Sequence, residues 1–175
     1  MRNTAFILLG VGLLVVQSNL FWLFGHVPIA GVTPNLLLPL VVFLGVHEWA
    51  IGRGAALSFL LGYFLDMFAS APVGLFTFTT VATFVVTHFA GVRLAAQTLI
   101  ARMGLAFAFA LVEGVLVVVL TAIFANDAAR SRALVSLVLP HALSTALFAP
   151  VVFALADRVH ALTQTMPRPG EGVGR

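Results

Sequence analysis

With 175 residues, of which 61% are hydrophobic and 9% charged, the chain carries far fewer charges than the roughly one quarter usual in a soluble domain. Its net charge of +3 comes without any run of basic residues, so no nucleic-acid partner is expected. The lack of cysteine excludes disulfides, thiolate metal sites and cysteine nucleophiles.

The solvent that fits this composition is membrane lipid. Residues 3–46 contain no Asp, Glu, Lys or Arg, and a helical span needs about 20 apolar residues. The chain reads as all-α: a polytopic membrane protein with about six transmembrane helices in one domain, 1–160, and a disordered cytoplasmic tail, 161–175.

The first predicted segment covers 5–24. It is longer than the core of a signal peptide and ends on Phe21, Trp22, Leu23 and Phe24 rather than on small residues. It therefore reads as a retained helix with Trp22 as an interfacial anchor. Gly25, Pro28, Gly31 and Pro34 then break the helix. The second segment, 35–50, contains Pro39 and ends near His47 and Glu48. The third, 54–68, has Asp66 near its end. Ser70, Ala71 and Pro72 mark a turn and a new start, with Ser70 as the expected N-cap and Pro72 in the first turn. The fourth is 73–89, the fifth 103–125 with Glu113 at its centre, and the sixth 133–156 with Pro140 and His141 in its first third. Segments two and three are short for spans, and a re-entrant hairpin is the alternative to two crossings. Between segments four and five, residues 91–102 read either as an amphipathic surface helix carrying Arg93, Gln97 and Arg102 or as an ordinary loop.

All nine basic residues are Arg. Six crossings with an inside N-terminus put Arg2, Arg53, Arg93, Arg102, Arg158, Arg168 and Arg175 in the cytoplasm and leave Arg130 and Arg132 outside. That distribution follows the positive-inside rule, so both termini are expected to be cytoplasmic.

Three polar groups fall within apolar segments. A charge at the depth of Glu113 is costly. It reads either as a clasp, hydrogen-bonded to Ser144 or His141 of segment six, or as part of a proton relay. Asp66 reads as a lock on the following turn, accepting from the free N–H groups of segment four, with a ligand site at that helix start as the sharper alternative. Thr77, Thr80, Thr83 and Thr87 lie mostly on one face and mark close packing or a cavity wall. Enzyme signatures are absent: there is no GxSxG, HExxH or P-loop, and neighbouring His47 and Glu48 point too far apart on a helix to share a metal. No enzyme activity and no cofactor is expected.

The run Thr33-Pro34-Asn35-Leu36-Leu37-Leu38 resembles the opening of the second helix in the rod shape-determining MreD family. Residues 62–74, from Gly62 through Asp66 and Ser70 to Gly74, resemble that family's G-x-x-x-D-hydrophobic-x-S-G-x-x-x-G signature, with Ala69-Ser70-Ala71 where the family usually shows serine-glycine. An acid within segment five also fits. The resemblance implies a fold similar to the substrate-binding subunits of energy-coupling-factor transporters. It implies a place in the bacterial inner membrane, in the cell-elongation machinery that organises peptidoglycan synthesis and rod shape. The implied partners are MreC, a single-span protein, and through it MreB, RodZ, RodA and its penicillin-binding partner. On this reading Pro34, Asn35, Gly62, Asp66, Ser70, Gly74, Glu113 and His141 serve structure or partner binding, and Gly104, Ala108 and Gly62 offer small-residue faces to a partner helix. The alternative from a different class is a vitamin-type transport subunit that uses Asp66, Thr77 and Trp49 or Trp22 around a ligand.

Overall fold

The computed structural model describes residues 2–24, 33–47, 50–68, 74–90, 98–124 and 128–164. They form six α-helices: α1 (Arg2–Phe24), α2 (Leu37–His47), α3 (Ile51–Phe68), α4 (Leu75–Phe89), α5 (Leu99–Phe124) and α6 (Ala128–Gln164). No strand occurs among the described residues. Among the described residues four stretches are long and apolar enough to cross a membrane: Asn3–Leu20, Ile51–Phe68, Ile100–Ile123 and Ala133–Thr163. Helices α2 and α4 are shorter, with 11 and 15 residues, or about 16 and 22 Å of rise.

Large apolar side chains are exposed on several helices. Leu8, Met67, Phe89, Ile100, Ile123 and Leu147 are each more than 60% exposed. Isolated exposed leucines are ordinary in water, but apolar side chains along the outer faces of several helices are not. Lipid is the medium in which such a surface is stable.

Helix α2 is the centre of the bundle. Every residue from Leu37 to Val46 is buried, and the helix touches all five others, most extensively α4 and α6. Its Phe43 stacks on His47 and lies near Phe6 of α1 and Phe153 and His160 of α6. A helix that is apolar all round must be surrounded by protein or lipid; here it is surrounded by protein. Successive helices alternate in direction. Phe6, His47, Arg102, Asp157 and His160 gather at one end, and Gln17, Asn35 and Thr145 meet well above them.

Small residues set the closest approaches. An added Cβ at Gly62 of α3 would meet Thr80 Oγ1, with Thr77 Cα of α4 at 2.7 Å and Phe76 O at 3.0 Å. Backbone atoms cannot swing aside, so any side chain there must part α3 from α4. Gly62 is therefore spent inside the bundle and is not available to a partner. Gly45 of α2 approaches Thr87 and the carbonyl of Phe84 in the same manner. Thr77, Thr80, Thr83 and Thr87 are all buried, and Thr80 Oγ1 lies within donating distance of the carbonyl of Phe76 in its own helix, at 2.8 Å, and of Ser58 in α3, at 3.1 Å.

Several boundaries differ from those read in the sequence. The fourth helix starts at Leu75, with Gly74 and not Ser70 as its N-cap; Ser70 and Pro72 lie outside the described residues. Of residues 91–102, read as an amphipathic surface helix or a loop, 99–102 form the first turn of α5, while 91–97 lie outside the described residues. Helix α6 runs on to Gln164, past the expected end at 156 and into the region read as tail. The polar residues beyond 156 are used within the bundle: Asp157 pairs with Arg102 at 2.6 Å, and His160 packs on Phe43 and Phe6. Residues 165–175, the side chain of Trp22 and all of Trp49 lie outside the described residues.

Candidate functional site

The first four N–H groups of any helix have no partner within it. In water they are solvated, but at membrane depth each orphan costs several kcal/mol. Helix α2 begins inside the bundle, so its opening turn needs donors matched one by one. Asn35 N donates to Thr145 Oγ1 of α6 at 3.0 Å. Leu36 N donates to Gln17 Oε1 of α1 at 2.9 Å. Leu37 N and Leu38 N donate to Asn35 Oδ1 at 3.1 and 3.3 Å. Pro39 comes next and has no N–H to satisfy, which is why proline is tolerated in a first turn.

The other half of the Asn35 amide faces α5. Its Nδ2 donates to both carboxyl oxygens of Glu113, at 2.9 and 3.1 Å. One side chain thus caps α2 with its oxygen and holds the buried acid of α5 with its nitrogen. Asn35 and Glu113 are each 3% exposed. The positive end of the α2 dipole points toward the same region and favours the acid there. This arrangement joins α1, α2, α5 and α6 at one level.

The partners expected for Glu113 were Ser144 and His141, and the structure overturns both. Ser144 Oγ donates to the carbonyl of His141 in its own helix. His141 Nδ1 lies 2.7 Å from the carbonyl of Thr33, in the segment that leads into α2. The start of α2 sits between α5 and α6 at this depth, so Asn35 reaches Glu113 first. Pro34 is buried beside it and holds the preceding residue extended, as proline requires.

A second cap closes the other hairpin. Asp66, 3% exposed near the end of α3, accepts four hydrogen bonds from the opening of α4. Gly74 N and Thr77 N donate to Oδ2 at 3.0 and 2.9 Å, Phe76 N donates to Oδ1 at 2.9 Å, and Thr77 Oγ1 donates to Oδ2 at 2.5 Å. Gly74 adopts φ 96°, a left-handed conformation that glycine takes without steric cost. The N-cap itself offers no side chain, and the carboxyl group of the preceding helix replaces it. The two groups proposed for a transport ligand, Asp66 and Thr77, are thus bonded to each other.

At the opposite end, His47, His160, Arg102 and Asp157 lie close together. The two imidazole rings are 5.7 Å apart, and Arg102 sits 5.6 Å from the centre of the Phe153 ring. Among the described residues no group of three or more His, Asp or Glu side chains has the spacing to hold a metal ion.

Gln17, Thr33 and Thr145 also belong to the node; Thr33 opens the Thr33–Leu38 run and Thr145 follows Ser144 at the depth of Glu113, while Gln17 was not singled out from the sequence. A side-chain amide inside the apolar length of α1 was the available signal for Gln17, since an amide in lipid needs a partner. Compared with models of known families, with curated proteins and with solved structures, the chain finds no match.

Proposed function

We propose that this chain is a non-enzymatic scaffold of the MreD kind, whose six helices cross the bacterial inner membrane with both termini in the cytoplasm. In this reading α2 and α4 count as crossings, the fold is that of an energy-coupling-factor substrate-binding subunit, and the arginine-rich end faces the cytoplasm. Its work is to bind a single-span, MreC-like protein and so help position the peptidoglycan-synthesising machinery with MreB, RodZ, RodA and its penicillin-binding partner. One observation carries the reading. The motif residues Asn35, Asp66, Gly62 and Gly74, together with Glu113, tie helices of this chain to one another. A signature made of caps and close approaches describes a rigid platform.

The platform needs a face for its partner. On α5 the exposed residues Gly104, Ala108 and Val112 recur at every fourth position. An added Cβ at Gly104 would meet nothing within 4 Å. A small-residue pair on an open helix face allows a second helix to approach closely in lipid.

Purification of the tagged full chain in a mild detergent is expected to retain a single-span protein with a periplasmic domain. Gly104→Leu is expected to lower the yield of that protein at least about tenfold, the effect of about 1.4 kcal/mol of lost packing, without changing the thermal midpoint of the bundle. Retention of no single-span protein, or equal retention by Gly104→Leu, contradicts the proposal.

A further inference from the structure

Helices α3 and α4 form a pair that is shorter than its neighbours. The first turn of α3 exposes Arg53, and residues 54–68 beyond it rise about 22 Å. Helix α4, with 15 residues, rises as much. By contrast, residues 103–123 of α5 and 133–156 of α6 expose no charged side chain and rise about 32 and 36 Å. A hydrocarbon layer of about 30 Å is thus matched by α5 and α6 and exceeds α3 and α4 by about 8 Å.

The deficit cannot be made up within the pair. An added Cβ at Gly54 would meet the Phe84 ring, and one at Gly62 would meet the backbone of Thr77, so the two helices are fixed in register and cannot slide apart. Asp66 fastens the far end by accepting from Gly74 N, Phe76 N and Thr77 N. Long side chains do not bridge the gap either. Residues 67–79 contain no Lys, Arg, Trp or Tyr, the residue types that reach from a submerged helix end to the headgroups. What that end exposes is Met67 and Phe68, each 68% exposed.

A span shorter than the hydrocarbon layer is then accommodated by a thinner bilayer or by burying the short face against another protein. The composition of the face favours lipid. Close helix packing in a membrane uses small and hydrogen-bonding residues, and on this pair Gly54, Gly62, Thr77, Thr80, Thr83 and Thr87 are turned inward and buried. The outward side chains are bulky: Phe59, Tyr63, Phe78 and Val86 are each 44% exposed or more. We propose that α3 and α4 present a short lipid-facing surface that thins the bilayer on their side of the bundle and gathers phospholipids with short acyl chains there. The α5–α6 side keeps a bilayer of ordinary thickness. The inference rests on the reading that α3 and α4 both cross the membrane.

The chain has no cysteine, so single cysteines report one site each. Tyr63→Cys on α3 and Leu147→Cys on α6, both exposed positions, are labelled with bimane in the full-length protein. The protein is reconstituted into mixed vesicles of dimyristoleoyl- and dierucoyl-phosphatidylcholine, with one lipid or the other carrying brominated chains that quench the label. The short-chain lipid is expected to be preferred at Tyr63→Cys by about threefold or more, the scale set by several ångströms of mismatch, and the two lipids to quench Leu147→Cys alike. Unfolding midpoints equal to that of the parent check that both variants are folded. In parallel, Ser70→Cys, in the link between α3 and α4, is expected to react with an impermeant maleimide added outside spheroplasts. Equal lipid preference at the two bimane sites with Ser70→Cys labelled overturns the thinning and leaves the crossings standing. An unlabelled Ser70→Cys overturns the crossings and the inference with them. Protection of Tyr63→Cys from both brominated lipids places a protein on the face and overturns the inference as well.

Discussion

Asn35→Ala is expected to lower the unfolding free energy of the bundle by about 3 kcal/mol or more, since each buried polar group left without a partner costs about 1–3 kcal/mol. The substitution removes the acceptor for Leu37 N and Leu38 N and the donor to Glu113 in one step. No water reaches this depth to replace them, because both Asn35 and Glu113 are buried. Thr145→Val deletes only the acceptor for Asn35 N and should cost about 1–2 kcal/mol by the same reasoning. Thermal or denaturant unfolding in detergent micelles, followed by helical circular dichroism, measures both. An Asn35→Ala chain that unfolds with its parent would mean that the cap adds nothing to the stability of the bundle.

Asp66→Ala is expected to be as damaging, at about 3 kcal/mol or more, because hydrogen bonds to a charged or charge-like acceptor are worth about 1.5–3 kcal/mol each. Four donors lose their acceptor, three of them backbone N–H groups at the start of α4. Gly74 holds φ 96° with no capping side chain of its own, so no nearby group takes over. Asp66→Asn should recover about half of the loss, since the amide oxygen still accepts and the amide nitrogen faces donors. Hydrogen exchange adds a local readout: the amides of Phe76 and Thr77 should lose protection in Asp66→Ala, while those of α5 keep theirs. Uniform loss of protection across α5 and α4 would contradict a role confined to this hairpin.

Much of this was legible in the residues. The absence of charge over 3–46 gave the medium, and the apolar run lengths placed all six helices in order. Asp66 could be assigned because its constraint is local: an acid at the end of one helix and free N–H groups on the next helix within a dozen residues. The Asn35 cap was half legible. Proline and asparagine before an apolar run mark a helix start, but the other half of the amide acts across 78 positions of sequence. That pairing depends on how α2 inserts between α5 and α6, and hydropathy is silent on insertion. The same reasoning explains the error at Glu113. Depth along two adjacent helices pointed to Ser144 and His141, and took no account of a third helix beginning between them. The end of α6 was misread for a related reason. Asp157 and His160 look like the edge of an apolar segment until Arg102 and Phe43 are brought against them.

A short, almost wholly buried helix is anchored at its start by one amide shared between its own backbone and the acid of α5. A double-mutant cycle tests it most directly, with Asn35→Ala, Glu113→Ala and the double variant unfolded under one set of conditions. The expected coupling is about 1 kcal/mol or more, toward the upper part of the range measured for interhelical hydrogen bonds in membranes. Losses that simply add, to within about 0.5 kcal/mol as they do for residues that do not touch, would show that Asn35 and Glu113 act independently.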